Sequence, residues 1–260
     1  MTKNTSRYPQ RVRHELRFRE LTVLRVERIS TGFQRIVLGG DALEGFSSRG
    51  FDDHSKVFFP EPGTQFVPPT VTDEGIVWAE GIRPVSRDYT PLYDEARHEL
   101  ALDFYLHEGG VASTWAKHAR EGDKLTIGGP RGSLVVPEDY AYQVYVCDES
   151  GMPALRRRLE ALSRLAVRPN VMALVSVQDA ACQDYLAHLD GFAIQWFVGH
   201  NEQAVNDALA QLNVPADDYF IWITGEGKAV KNLSARFETE AFDQQRVRAA
   251  AYWHHRNSTR

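Results

Sequence analysis

Arg87-Asp88-Tyr89-Thr90-Pro91 closes a run of short β-type segments, and Asp103-Phe104-Tyr105-Leu106-His107 and Gly110-Val111-Ala112-Ser113-Thr114-Trp115 follow it. A guanidinium fork suits a diphosphate, because its planar donors make paired, charge-assisted hydrogen bonds. A tyrosine ring lies well against a flat heterocycle, and a threonine hydroxyl bonds its edge. The small residues Gly110 to Ser113 precede a helical stretch that ends near Ala119, so unpaired backbone N–H groups at the helix start would face an anion. The three stretches read together as a cradle for a flavin.

Working outward, residues Phe18 to Pro137 carry short runs of β-branched and aromatic residues between Gly, Pro, Asp and Ser. These runs are Leu21 to Ile29, Phe33 to Leu38, Ser55 to Phe59, Ile76 to Trp78, Ser86 to Leu92, Leu100 to Leu106 and Lys124 to Ile127. Such spacing predicts an antiparallel β-barrel. Beyond Tyr140 the rhythm lengthens to strand-helix alternation: strands at Gln143 to Cys147, Val171 to Val177, Ile194 to Val198, Tyr219 to Thr224 and Val247 to Tyr252. Helices are expected at Pro153 to Leu165, Cys182 to Leu189, Ala204 to Leu212 and Ala229 to Thr239. That is a parallel α/β arrangement. The expected organisation is a polar tail over 1–17, partly disordered, a β-barrel domain over 18–139 and an α/β domain over 140–260.

With 260 residues the chain fits two medium domains, and 43% apolar with 25% charged residues is ordinary for a globular enzyme. No apolar run is long enough for a bilayer, and the first segment lacks the apolar centre of a secretory signal, so a soluble cytoplasmic protein is expected. The 30 Lys and Arg against 35 Asp and Glu give a net charge of −5, a field that favours neither nucleic acid nor an anionic membrane. The two cysteines, Cys147 and Cys182, have no metal-ligand spacing and read as core thiols of a reducing compartment.

Five segments in order resemble the siderophore-interacting proteins, flavin-dependent ferric-siderophore reductases of the ferredoxin-reductase superfamily. They are Asp52-Asp53-His54-Ser55-Lys56-Val57-Phe58-Phe59-Pro60, Arg87-Asp88-Tyr89-Thr90, Asp103 to His107 with Gly110 to Trp115, Gly128-Gly129-Pro130-Arg131-Gly132-Ser133, and Asp148-Glu149-Ser150-Gly151-Met152-Pro153-Ala154. Trp222-Ile223-Thr224-Gly225-Glu226 and Tyr252-Trp253 also fit. The resemblance implies that Arg87 holds the FAD diphosphate and that Tyr89 and Thr90 contact the isoalloxazine side. It places Asp103, Phe104, Leu106, His107, Val111, Ala112, Ser113 and Trp115 along the cofactor, with Glu149 and Ser150 approaching it across the domain cleft. Where family members carry a second arginine two places after the threonine, this chain has Leu92.

The resemblance further implies that Lys56 and Arg131 attract an anionic ferric siderophore beside the flavin's exposed edge, with His254 at a third basic position. Plainer readings stand beside these. Ser113 also fits an N-cap, Glu149 and Pro153 fit an ordinary helix start, and Lys56 and Arg131 fit a solvated surface. No resident metal is needed, because siderophore oxygens already hold Fe(III), and no catalytic side chain is implied, since electrons pass through the flavin. Family members draw electrons from NADPH or NADH, or from a ferredoxin-like protein. The seven residues after Trp253 resemble the nicotinamide-using branch, which favours NADPH. Two other readings stay open: a general flavin reductase serving an oxygenase, and a siderophore-binding, iron-delivery flavoprotein without turnover.

Overall fold

The computed structural model describes residues 7–79 and 83–255. In the first half, apolar side chains recur at the strand period, and each run finds an antiparallel neighbour. The strands are β1 Gln10–Arg13, β2 Phe18–Arg28, β3 Phe33–Gly39, β4 Ser55–Phe59, β5 Thr70–Thr72, β6 Gly75–Val77, β7 Val85–Tyr89, β8 Leu92–Asp94, β9 Glu99–Tyr105, β10 Lys124–Gly128 and β11 Gly132–Val135. Seven form one sheet in the order β7-β4-β10-β2-β3-β9-β8, while β1 pairs β11 and β5 pairs β6. The ladder is open between its end strands, yet Tyr89 on β7 lies 4.3 Å from Phe104 on β9, so the sheet curls into a half-barrel. Its inner face carries Leu21, Ile36, Val57, Leu102 and Ile127, all without solvent exposure. Helix α1 Val111–His118 packs into it through Ala112, Ala116 and Trp115.

The second half is β12 Tyr142–Cys147, α2 Met152–Ser163, β13 Asn170–Val177, β14 Ala193–Val198, α3 Glu202–Ala210, β15 Tyr219–Glu226, α4 Gly227–Ser234 and β16 Val247–Trp253. All five strands are parallel, in the order β14-β13-β12-β15-β16. Because helices cover both faces, the central strands read as nearly continuous apolar runs such as Tyr219-Phe220-Ile221-Trp222-Ile223. Tyr145, Ala173 and Trp222 face the layer of α2, whereas Val144, Leu174 and Ile221 face α3 and α4. The strand order reverses between β12 and β15, which makes the crevice beyond their carboxyl ends the switch point of the sheet.

Four expectations change. Part of the polar start forms β1, whose backbone pairs with Gly132–Val135 although Gln10-Arg11-Val12-Arg13 has little strand propensity, so this stretch is not a separate tail. The run Ser86 to Leu92 breaks at Thr90-Pro91, where proline has no ladder N–H, into β7 and β8. The helix expected near Cys182 is a 3₁₀ segment, Ala180–Leu186, too short for a cooperative α-helix. The helix expected from Ala229 to Thr239 ends at Ser234 and tightens into a 3₁₀ turn, Ala235–Phe237.

Side chains separated by tens to hundreds of residues join the two sheets. Asp103 on β9 receives both arms of Arg35 at 2.7 and 2.8 Å and the Tyr185 hydroxyl at 2.5 Å. Asp52 receives the Trp222 indole N–H at 3.2 Å and Arg248 at 2.5 Å. From α2, Arg157 donates to Ser48 and to the Pro91 carbonyl at 3.0 Å, and Arg158, 3% exposed, donates to the Val136 and Pro137 carbonyls. These are charge-assisted bonds in partly desolvated positions, where a lost partner is costly.

Candidate functional site

The flavin segment begins where β7 ends. Tyr89 lies over Phe104, which meets Trp115 at 5.7 Å, and Trp115 meets Phe59 at 5.9 Å, giving an aromatic floor fed by three strands and α1. Burial pushes the Tyr89 phenol well above its ordinary value, against the pull of Arg87. Arg87 shares the Tyr89 face at strand spacing and is exposed; its one hydrogen bond among the described residues is from Nη1 to the Ser86 carbonyl, 2.7 Å. The described residues offer the rest of its fork no partner. Thr90 is buried beside it. Ser55, in register opposite Tyr89, is a buried hydroxyl without a hydrogen-bond partner among the described residues.

The segment Leu106 to Ser113 wraps back toward this floor. Ser113 Oγ donates to the His107 carbonyl at 2.8 Å and accepts the His107 N–H at 2.9 Å, so its hydroxyl locks the loop and does not cap α1. Gly110 is the N-cap and supplies no side-chain bond. A Cβ there would stand 2.4 Å from the His107 ring, so glycine lets the imidazole fold over the loop. The first N–H groups of α1 are therefore uncapped by any side chain. Val111 is exposed, while Ala112 and Ser113 are buried. An exposed guanidinium, a helix start without a side-chain cap, an aromatic floor and a buried hydroxyl fit the diphosphate and ring system of FAD.

Asp103, expected along the cofactor, has both carboxylate oxygens engaged by Arg35 and Tyr185. Phe104 has no exposure and supports Tyr89 from beneath. Leu106 packs on the barrel core.

Across the cleft, Asp148 caps the turn Glu149–Gly151; it accepts the Ser150 N–H at 2.9 Å and the Ser150 hydroxyl on one oxygen, and the Trp253 indole N–H at 2.7 Å on the other. Burial raises the Asp148 pKa. The Ser150 hydroxyl is thus spent within its own turn. Gly151 is present for packing: a Cβ would come within 2.5 Å of Thr224 Cγ2 and 2.6 Å of Cys147 Cβ. At α4 the Glu226 carboxylate accepts the Lys228 and Ala229 N–H groups. Both helix starts at the switch point hold the chain's own carboxylates, and the turn is not a glycine-rich phosphate cradle. Glu149, 4% exposed, accepts the Gln178 N–H and faces His200.

On the outer side of the barrel, Lys56 pairs with Asp88 across β4 and β7 at 2.8 Å, both about half exposed. Arg131 is exposed three residues beyond Gly128, the residue that stands in register with Lys56 on β10. Lys56 and Arg131 thus lie near the same end of the β4–β10 ladder. His254 stands in the other half of the molecule against Gly227 at the start of α4. A cleft of about 1020 Å³ lies elsewhere between the sheets; Arg35, Leu92, Glu99, Arg157 and Arg164 line it, and none of the candidate cofactor or substrate residues does. Leu92 faces this cleft and pairs with Ala101. Sequence reading missed Asp52, Arg35, Arg157 and His200. The consecutive Arg156-Arg157-Arg158 inside an apolar helix was the signal available for one of them.

Comparison with known proteins decides the family. The profile of the siderophore-interacting FAD-binding domain matches residues 22–134, and that of the siderophore-interacting protein matches 140–256. The chain belongs to the siderophore-interacting protein family. It is 78% identical over 251 residues to the NADPH-dependent ferric-chelate reductase of Escherichia coli K12, covering 96% of this chain and 98% of that one. It is 28% identical over 244 residues to the ferric vibriobactin reductase ViuB of Vibrio cholerae, covering 90% and 89%. A siderophore utilization protein from T. fusca superposes with a TM-score of 0.81 at 30% identity, over 95% and 96% of the two chains. FAD is the cofactor of this family member, held by its first domain.

Proposed function

We propose that this protein reduces Fe(III) bound in a siderophore to Fe(II), using electrons from NADPH passed through FAD, in the cytoplasm. The observation that carries the reading is the 78% identity, over nearly the whole of both chains, with an NADPH-dependent ferric-chelate reductase. That name favours NADPH over NADH and over a ferredoxin-like donor. Among the described residues, no helix is long and apolar enough to cross a membrane. A barrel domain over 18–139 and an α/β domain over 140–260 divide the work.

FAD accepts a hydride and gives up its electrons singly, which is the chemistry the reaction needs. Arg87 and the first N–H groups of α1 hold the diphosphate, and Tyr89, backed by Phe104 and Trp115, lies against the ring system. Lys56 and Arg131 draw an anionic chelate to the barrel edge, a kind of recognition that needs charge more than shape. Thr90, Leu106, His107, Val111, Ala112 and Ser113 shape the loop around the cofactor, Glu149 and Ser150 approach from the second domain, and His254 adds charge from beside α4. Iron is substrate here: hard siderophore oxygens bind Fe(III) strongly, so reduction loosens the chelate.

The reading is tested by anaerobic NADPH oxidation in the presence of FAD, a ferric siderophore and an Fe(II) trap. Oxidation that requires FAD and chelate together, with two Fe(II) trapped per NADPH, is expected. Oxidation independent of the chelate would leave a general flavin reductase, and bound flavin without turnover would leave an iron-delivery protein.

A further inference from the structure

Glu149 is a buried carboxylate at the meeting of the two halves. One oxygen accepts the Gln178 N–H at 2.5 Å, and the other lies 3.3 Å from His200 Nε2. Burial, with the Glu149 charge adding to it, raises the phenol pKa of Tyr105, the last residue of β9. The other ionisable groups around it are Asp148, Cys147 and Cys182, none of them a cation. Among the described residues, then, a histidine is the cation within reach of this buried acid.

His200 is built for the position. It follows β14 with φ 52°, in the left-handed region that non-glycine residues seldom adopt, and the neighbouring Gly199 N–H bonds the Val177 carbonyl at 2.8 Å. Its Nδ1 lies 3.4 Å from Ser176 Oγ, and the ring reaches solvent. The contact with Glu149 raises the imidazole pKa above its usual 6.5, with burial opposing and Asp148 adding to it. The Glu149–His200 pair thus leads from a buried carboxylate to an imidazole open to water.

We infer that Glu149 and His200 are the outlet for the proton that the reaction releases. The inference rests on the reductase reading. NADPH gives up a hydride, two Fe(III) take one electron each, and the balance is NADPH + 2 Fe(III) → NADP⁺ + 2 Fe(II) + H⁺. The hydride's electron pair goes to iron and its proton remains. Glu149 accepts that proton on a carboxylate oxygen, His200 Nε2 takes it from the carboxyl, and His200 passes it to solvent. Glu149 stays buried throughout, because a cationic partner can form beside it whenever it is ionised.

Two measurements test this. In FAD-free protein, the His200 imidazole followed by NMR titrates above 6.5, and Glu149→Gln brings it back toward the ordinary histidine value. In FAD-loaded, NADPH-reduced protein mixed anaerobically with ferric citrate, His200→Asn slows flavin reoxidation by on the order of tenfold or more, and imidazole in the buffer restores it. Asparagine tolerates the left-handed backbone, so the variant keeps the turn. Unchanged reoxidation in His200→Asn, or a slowing that imidazole does not relieve, overturns the outlet. If ferric citrate and ferric siderophores leave the wild-type flavin reduced, the reductase reading fails and the outlet with it, whereas a raised His200 titration alone would still establish the Glu149 pair.

Discussion

The guanidinium of Arg87 is left open because β7 is an end strand of its sheet and the described residues offer it one carbonyl. Replacing it by Ala removes the fork that fits a diphosphate; about 1.5–3 kcal/mol of charge-assisted bonding corresponds to roughly 10- to 100-fold weaker FAD binding. Flavin fluorescence titration checks this, and Arg87→Ala with undiminished affinity would contradict the assignment. Lys56 presents the opposite case, since Asp88 already holds its ammonium. An exposed pair of this kind contributes little to stability, so Asp88→Asn is expected to fold normally and lower the KM for anionic ferric chelates several-fold, by an amount that shrinks as salt is raised. An unchanged KM at low salt would show that the chelate does not dock at Lys56. For His200 the sign of the pH effect is fixed by the raised pKa. Its pairing with Glu149 favours the native state fully below the unfolded histidine value near 6.5 and is lost as pH rises through the higher folded value. The difference in melting temperature between wild type and His200→Asn should therefore shrink at alkaline pH, and a difference constant from pH 5 to 9 would contradict the pair.

At the scale of elements, the turn between β12 and α2 shows how packing set a residue that sequence reading connected with cofactor approach. Gly151 lets α2 close on β15, and Gly151→Ala should cost about 1–3 kcal/mol through overpacking, read as a lower urea midpoint with an unchanged slope. Stability equal to wild type would mean that Thr224 and Cys147 have room to give. Helix α2 also reaches into the flavin segment from outside, because Arg157 holds the Pro91 carbonyl directly after Thr90. The strands were legible in advance because Val57, Phe59, Leu100, Leu102 and Phe104 alternate at strand spacing, and the switch to strand-helix alternation after Tyr140 marked the parallel sheet. Strand β1 was not legible: Gln10-Arg11-Val12-Arg13 has one apolar residue, and its pairing depends on the backbone of β11, more than a hundred residues away.

Across the whole molecule, the same distinction separates the parts of the candidate site that the sequence discloses from those it hides. Arg87, Tyr89 and the Gly110 to Ser113 run are local patterns whose chemistry is visible in the residue types themselves. Asp103 and Asp52 look identical in kind, but their partners Tyr185 and Arg248 lie 82 and 196 residues away, and only the folded chain shows that these acids join the two sheets. The account as a whole requires the assembled halves to move electrons from a reduced flavin to chelated iron. The most direct measurement is anaerobic stopped-flow absorbance of the FAD-loaded, NADPH-reduced protein mixed with a ferric siderophore and an Fe(II) trap. The account predicts that flavin absorbance returns as trapped Fe(II) appears, two Fe(II) for each flavin. Flavin that stays reduced while no Fe(II) forms, across several siderophores, would contradict it.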